Sequence, residues 1–182
     1  MLPRATDGEG VEPHAVETQV QLVRLAHAAR IAILLFAQRD PDEVLAVDLR
    51  AAFLVASEAG RRMKVRGYGR IVNISSIAGR HRSPVSGVHY VSAKAGMIGL
   101  TRQMAFELAP FGVTVNVHCP SQTRTRMLGS TMSEDQQADL VSAIPVGRLA
   151  EIIDQVGPVL FLCSDASRYM TGSVIDVNGG QL

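Results

Sequence analysis

The chain contains no tryptophan, two cysteines and two lysines, Lys64 and Lys94. Tyrosine is nearly as sparse, with Tyr68, Tyr90 and Tyr169. Cys119 and Cys163 stand far apart, with no Cys-x-x-Cys pair and no clustered histidines. Neither a disulfide scaffold nor a metal site is therefore expected, and both cysteines read as small buried hydrophobes. A formal net charge of +1 leaves no electrostatic case for a nucleic acid or an anionic membrane surface as partner. The longest early apolar run, IAILLFA at 31–37, is too short to span a bilayer. The N-terminus has one arginine in its first ten residues and no apolar core, so no signal peptide is read there and a cytoplasmic location is the default. Internal repeats and low-complexity tracts are also missing.

What is present suits one α/β domain. The composition, 47% apolar and 19% charged over 182 residues, allows a sizeable core. Residues 1–19, rich in glycine, proline and acids, read as a poorly ordered or divergent start, and 20–182 as a single domain. VQLVRLA at 20–26 reads as a strand. A long helix follows from Asp40, with Asp40 as N-cap, Pro41 at the first helical position, and a basic end closed by Gly67. GRIVNISSIAG at 69–79 begins as a buried strand, Ile71–Ile74. GVTVNVHCP at 112–120 repeats that pattern, and GSVIDVNGG at 172–180 is a third strand. An amphipathic helix is expected at 88–110 and a further helix at 154–167. Alternating strands and helices predict parallel βαβ units. In such a sheet, ligands sit outside the carboxyl ends of the strands, here 74–79, 119–126 and 177–181.

Ser75 and Ser76 lie just beyond the first of those ends. Tyr90 follows Ser76 by fourteen residues, and Lys94 comes four later, on the same helix face. An ammonium beside a phenol favours the phenolate, turning a poor proton donor into a usable acid and base. A serine hydroxyl at the neighbouring strand end suits a substrate carbonyl or hydroxyl. These parts serve proton transfer to an oxygen, coupled to hydride transfer. Alone, a Tyr-x-x-x-Lys pair is a weak signal.

The run from GRIVNISSIAG through YVSAKAGMIGLTRQMAFELAPFGVTVNVHCP, then IPVGRLAE, VLFLCSDAS and MTGSVIDVNGG, resembles the short-chain dehydrogenase/reductase family, its 3-oxoacyl-carrier-protein reductase-like members in particular. The likeness covers about residues 40–182. It implies an α/β fold, a partial doubly wound (Rossmann-like) parallel sheet lacking the first strands. It also implies an NAD(P)(H)-dependent oxidoreductase that interconverts a carbonyl and a secondary alcohol, with a 3-oxoacyl thioester as a candidate. By the resemblance, Ser76 positions the substrate and Tyr90 is the acid/base. Lys94 assists Tyr90 and contacts the nicotinamide ribose. Thr125, after the turn at Pro120, holds the carboxamide of NADP or NAD. Asn73 reads as structural. The small-molecule substrate is left open, because 126–144, where the family has its substrate lid, carries no signature.

Several positions depart from the family's pattern. The glycine-rich phosphate loop has no counterpart: Gly8-Glu9-Gly10 follows no strand, lacks a third glycine and is flanked by acids that repel a pyrophosphate. If LAHAARIA at 25–32 is the family's asparagine-alanine-glycine segment, Arg30 stands where relatives have glycine. Asp48 occupies the place of the family's fourth catalytic residue, an asparagine; a carboxylate accepts hydrogen bonds but cannot donate them, and it can pair with Lys94. Ser121 replaces the glycine after Pro120. If 20–32 is the fourth strand and its loop, the half that binds adenosine is missing and a sheet edge is left open. A second reading therefore stands beside the enzyme: a truncated, inactive relative that keeps an association scaffold. Both long helices carry small residues, Ala51, Ala52 and Ala56 on one and Ala93, Gly96 and Gly99 on the other. These suit close packing against another chain or against the sheet, so a homo-oligomer or association with full-length relatives is expected.

Overall fold

The computed structural model describes residues 40–83, 85–126, 128 and 133–182. The boundary expected at residue 20, the strand at 20–26, the glycines at 8 and 10, and Arg30 lie outside the described residues. The described elements belong to a unit spanning Phe36–Leu182.

The first helical stretch has three joined segments: α1 (Pro41–Leu45), a π-helical segment Ala46–Arg50, and α2 (Ala51–Arg66). Asp40 caps it as expected, its carboxylate accepting from the Asp42 N–H at 3.0 Å, and α2 stops at Gly67. Arg61 and Arg62 at the basic end both pair with Glu58. A π segment puts one extra residue into the helix and changes which side chains face a neighbour. Asp48 lies in this segment.

Strands β1 (Gly69–Ile74), β2 (Val113–Pro120) and β3 (Val174–Val177) form a parallel sheet in the order β1-β2-β3. Helix α3 (Val88–Leu108) connects β1 to β2; α4 (Glu134–Ser142) and α5 (Ile152–Cys163) lie between β2 and β3. The βαβ reading of the sequence therefore holds for the described sheet, in which β1 is an edge. Residue alternation along β2 divides the two faces. Val113 and Val115 pack with Ala56, Ile71, Met104 and Ala105, and Val117 and Cys119 pack with Ile98. His118, from the intervening positions, meets Gln155 of α5 on the opposite face. The central strand β2 is buried almost throughout, as a strand covered on both sides should be.

Some expectations change. The strand expected at 172–180 is confined to Val174–Val177, and the helix expected at 154–167 is Ile152–Cys163. Its start is set by Glu151, whose side chain accepts from the Asp154 N–H while the Asp154 carboxylate accepts from the Glu151 N–H at 2.8 Å. The featureless 126–144 stretch contains α4, started by a capping box between Ser133 and Gln136, a local signal that was there to be read. Cys119 is buried, but Cys163 is exposed, because it lies at the last residue of α5. Ala56 and Ala93 are buried, 4% and 0% exposed, and Ala56 belongs to the core between helices and sheet, so these two are not outward-facing contact residues. Asn73 is structural, its amide donating to the Thr101 hydroxyl at 2.9 Å in the core.

Candidate active site

The carboxyl ends of β1 and β2 open onto a cleft of about 730 Å³. Asp48, Ser76, Tyr90, Pro120 and Thr125 all line it, so four separate segments deliver five of the six candidate residues to one wall system. Lys94 joins them from one turn beyond Tyr90. Its ammonium is 3.0 Å from the Asp48 carboxylate, donates to the Ile74 carbonyl at 3.4 Å, and lies 5.4 Å from the Tyr90 ring centre. Two of the three ammonium donors are thus spoken for, and one is left for a ligand.

Backbone contacts hold this arrangement. The Ser75 hydroxyl donates to the Lys94 carbonyl at 2.7 Å. Ser76 begins the short 3-10 turn Ile77–Gly79, and its hydroxyl oxygen accepts from the Ala78 N–H at 3.1 Å. That contact uses the oxygen and leaves the Ser76 proton free to donate to a substrate oxygen. Gly79 lets this turn lie against α3: a side-chain carbon there would sit 2.6 Å from the Lys94 carbonyl carbon and 2.9 Å from the Ala95 nitrogen. Gly96 does the same for the π segment, since a methyl there would meet Leu49 at 2.9 Å. Sequence reasoning assigned no role to Ser75 or Gly79. Their signal was the run of small residues directly after a buried strand.

Two further groups were also missed. Arg80 forks onto Asp176 of β3, with contacts of 3.0–3.2 Å, and ties the chain just after Ser76 to the end of β3. This carboxylate raises the Arg80 guanidinium pKa, first through the hydrogen bond itself. Cys119, paired in register with Asp176, is held as a thiol: burial pushes its pKa up and the Asp176 charge adds to this. The second group is a polar chain behind the cleft, from His118 through Gln155 to Thr123.

Residues 19–181 match the family model described as Enoyl-(Acyl carrier protein) reductase. The chain belongs to the short-chain dehydrogenase/reductase family. The 3-oxoacyl-[acyl-carrier-protein] reductase of Aquifex aeolicus is 43% identical over 141 residues, 78% of this chain and 56% of that protein. The acetoacetyl-CoA reductase of Rhizobium meliloti is 41% identical over 139 residues, 76% of this chain and 57% of its own. A crystal structure of a 3-oxoacyl-[acyl-carrier protein] reductase from Brucella melitensis with bound NAD superimposes with a TM-score of 0.72 at 31% identity, covering 80% of this chain and 54% of the other. This short-chain dehydrogenase/reductase chain spans about half to three-fifths of the length of these relatives. Its fold is the Rossmann-type α/β fold of the family. No helix among the described residues is long and apolar enough to cross a membrane.

The reactive end of a nicotinamide dinucleotide fits the residues present. Lys94 keeps a donor for ribose hydroxyls. The Thr125 hydroxyl accepts from the Leu128 N–H at 3.4 Å and retains its proton for an amide oxygen.

Proposed function

We propose that this chain carries the reaction-bearing part of an NAD(P)(H)-dependent oxidoreductase that interconverts a carbonyl and a secondary alcohol, with 3-oxoacyl thioesters as the substrate class. The observation that carries this reading is the convergence of Asp48, Ser76, Tyr90, Pro120 and Thr125 on one cleft, with Lys94 joined to Asp48 behind Tyr90. The nicotinamide supplies or accepts the hydride when bound.

The chain's own groups handle the proton and the geometry. In the reductive direction, Ser76 donates a hydrogen bond to the substrate oxygen and fixes its orientation. The Tyr90 hydroxyl gives its proton to that oxygen as negative charge develops there. Lys94, held by Asp48 and the Ile74 carbonyl, stabilises the resulting phenolate and holds the ribose. Pro120 and Thr125 form the opposite wall, where Thr125 orients the carboxamide. Val44, Val47, Val85 and Leu128 also line the cleft and provide an apolar path for an acyl chain, which favours an acyl substrate over a polyol. Among the described residues, Asp48 is the one carboxylate that lines this cleft, and its charge disfavours a substrate with a carboxylate next to its carbonyl.

The protein is also read as a homo-oligomer. Phe53 on α2 is 52% exposed and Phe106 on α3 is 78% exposed. Leu45 and Phe53 line an apolar groove with Leu49 and Leu100. Aromatic side chains exposed to this degree on packed helices mark a contact surface.

Reduction of an acetoacetyl thioester with NADPH and with NADH tests the enzymatic reading. Wild type turns over, and Tyr90→Phe loses at least about 10²-fold in kcat while melting at the same temperature. Nucleotide binding without turnover, or equal rates in the two proteins, rejects the mechanism. Absence of nucleotide binding supports the non-enzymatic association scaffold instead.

A further inference from the structure

The Pro120–Thr125 loop has a second side. Pro120, Thr123 and Thr125 border the cleft and also an apolar groove against α5. His118 lies at the floor of that groove, 1% exposed. Its Nε2 is 2.9 Å from Gln155 Oε1. The other end of the same amide settles which way the protons run. Gln155 Nε2 donates to Thr123 Oγ1 at 3.3 Å and to the Val177 carbonyl at 3.4 Å, and a carbonyl can only accept. Gln155 therefore offers its oxygen to His118, and His118 Nε2 carries the proton. The Thr123 hydroxyl donates its own hydrogen bond to the Ser121 carbonyl at 3.1 Å. The chain thus runs in one direction: His118 to Gln155 to Thr123 to Ser121.

This arrangement has a cost. His118 Nδ1 is left a buried lone pair without a partner among the described residues, and an unpartnered buried acceptor is destabilising. Apolar side chains of similar volume would fill the same space without that penalty. What the polar chain adds is direction, because each donor has a defined acceptor. It fixes Thr123, two residues before Thr125. The same segment is fixed in depth by backbone bonds, Ala150 N–H to Gln122 at 3.1 Å and Arg124 N–H to Ala150 at 2.8 Å.

We infer that the His118–Gln155–Thr123 chain is a positioning device for the Pro120–Thr125 loop, setting where Thr125 meets the nicotinamide end of the dinucleotide. The inference rests on the oxidoreductase reading above. Thr123 and Gln155 are positioning residues and touch no reacting atom.

The test uses the full chain, with NADH and NADPH as probes in a fluorescence titration. Thr123→Val and Gln155→Leu each raise Kd about tenfold, the effect of one lost hydrogen bond, with an unchanged circular dichroism spectrum. Thr123→Ser, which restores the hydroxyl, binds within about twofold of wild type. Nitrogen-detected NMR of wild type shows His118 as the neutral Nε2–H tautomer. Should Gln155→Leu fail to fold, Thr123→Val and its serine rescue decide the matter. Unaltered affinity in Thr123→Val, equal weakening in Thr123→Ser, or an Nδ1–H tautomer overturns the inference while leaving the oxidoreductase reading intact. A wild type that binds neither nucleotide overturns both.

Discussion

The Lys94 ammonium is 3.0 Å from the Asp48 carboxylate, so a helix turn next to the first strand's end is locked to a π-helical segment more than forty residues earlier. Both side chains are mostly buried, 11% and 26% exposed. Breaking a partly buried pair leaves one charge uncompensated, which costs more than losing a surface pair. Asp48→Asn is expected to destabilise the protein by about 2 kcal/mol, between the values for exposed and fully buried pairs. A double-mutant cycle with Lys94→Met is expected to return a coupling of similar size. Urea denaturation of the four proteins measures it, and strict additivity would show that the two charges do not stabilise one another.

Gly79 has no room for a methyl group, since the nearest atoms are backbone atoms of Lys94 and Ala95. Backbone cannot move aside as a flexible side chain can. Gly79→Ala is expected to cost about 2 kcal/mol by forcing the Ser76 turn away from α3. The same displacement separates Ser76 from Tyr90, so kcat falls more than KM rises. Denaturation curves and steady-state kinetics on one preparation check both halves.

His118 gives the stability a pH dependence. Burial pushes its pKa below the ordinary 6.5, so the folded protein holds the ring neutral while the unfolded chain takes up a proton first. Stability from this residue is complete above about pH 6.5 and is lost as pH falls from there through the lower folded value. His118→Asn is expected to flatten the slope of unfolding free energy against pH in that window, by at most one proton. Equal slopes in wild type and variant would show that His118 does not titrate there.

Phe53 and Phe106 are expected to be covered in solution. Phe53→Glu and Phe106→Glu each place a charge on that surface, and burying an unpaired charge is prohibitive. Light scattering after size exclusion should show wild type as an oligomer and the double variant as a smaller species with unchanged circular dichroism. A monomeric wild type would end the association reading.

Most of the residues that converge on the cleft stand out along the chain. Ser76, Tyr90, Lys94 and the strand ends follow from local pattern, β-branched runs stopped by small residues and a four-residue helix spacing, whereas Thr125 is assigned only through the family resemblance. Such signals depend on a few neighbouring residues, so they can be read along the chain. The Asp40 cap and the stop at Gly67 were readable for the same reason. The capping box at Ser133 was equally local, though the surrounding stretch shows no apolar periodicity to draw attention to it. Cys163 shows the limit of composition, because a residue type's average burial says nothing about the end of a particular helix.

The sequence by itself determined the order of strands and helices, the family pattern and the identity of the groups able to move a proton. Only the tertiary structure decided which of them meet. The π segment turns Asp48 toward Lys94, Arg80 reaches Asp176 across ninety-six positions, and Gln155 of α5 selects the His118 tautomer from the far face of the sheet. These contacts form between elements distant in the chain, where distance and angle set the interaction energy and neither is encoded in any short run of residues.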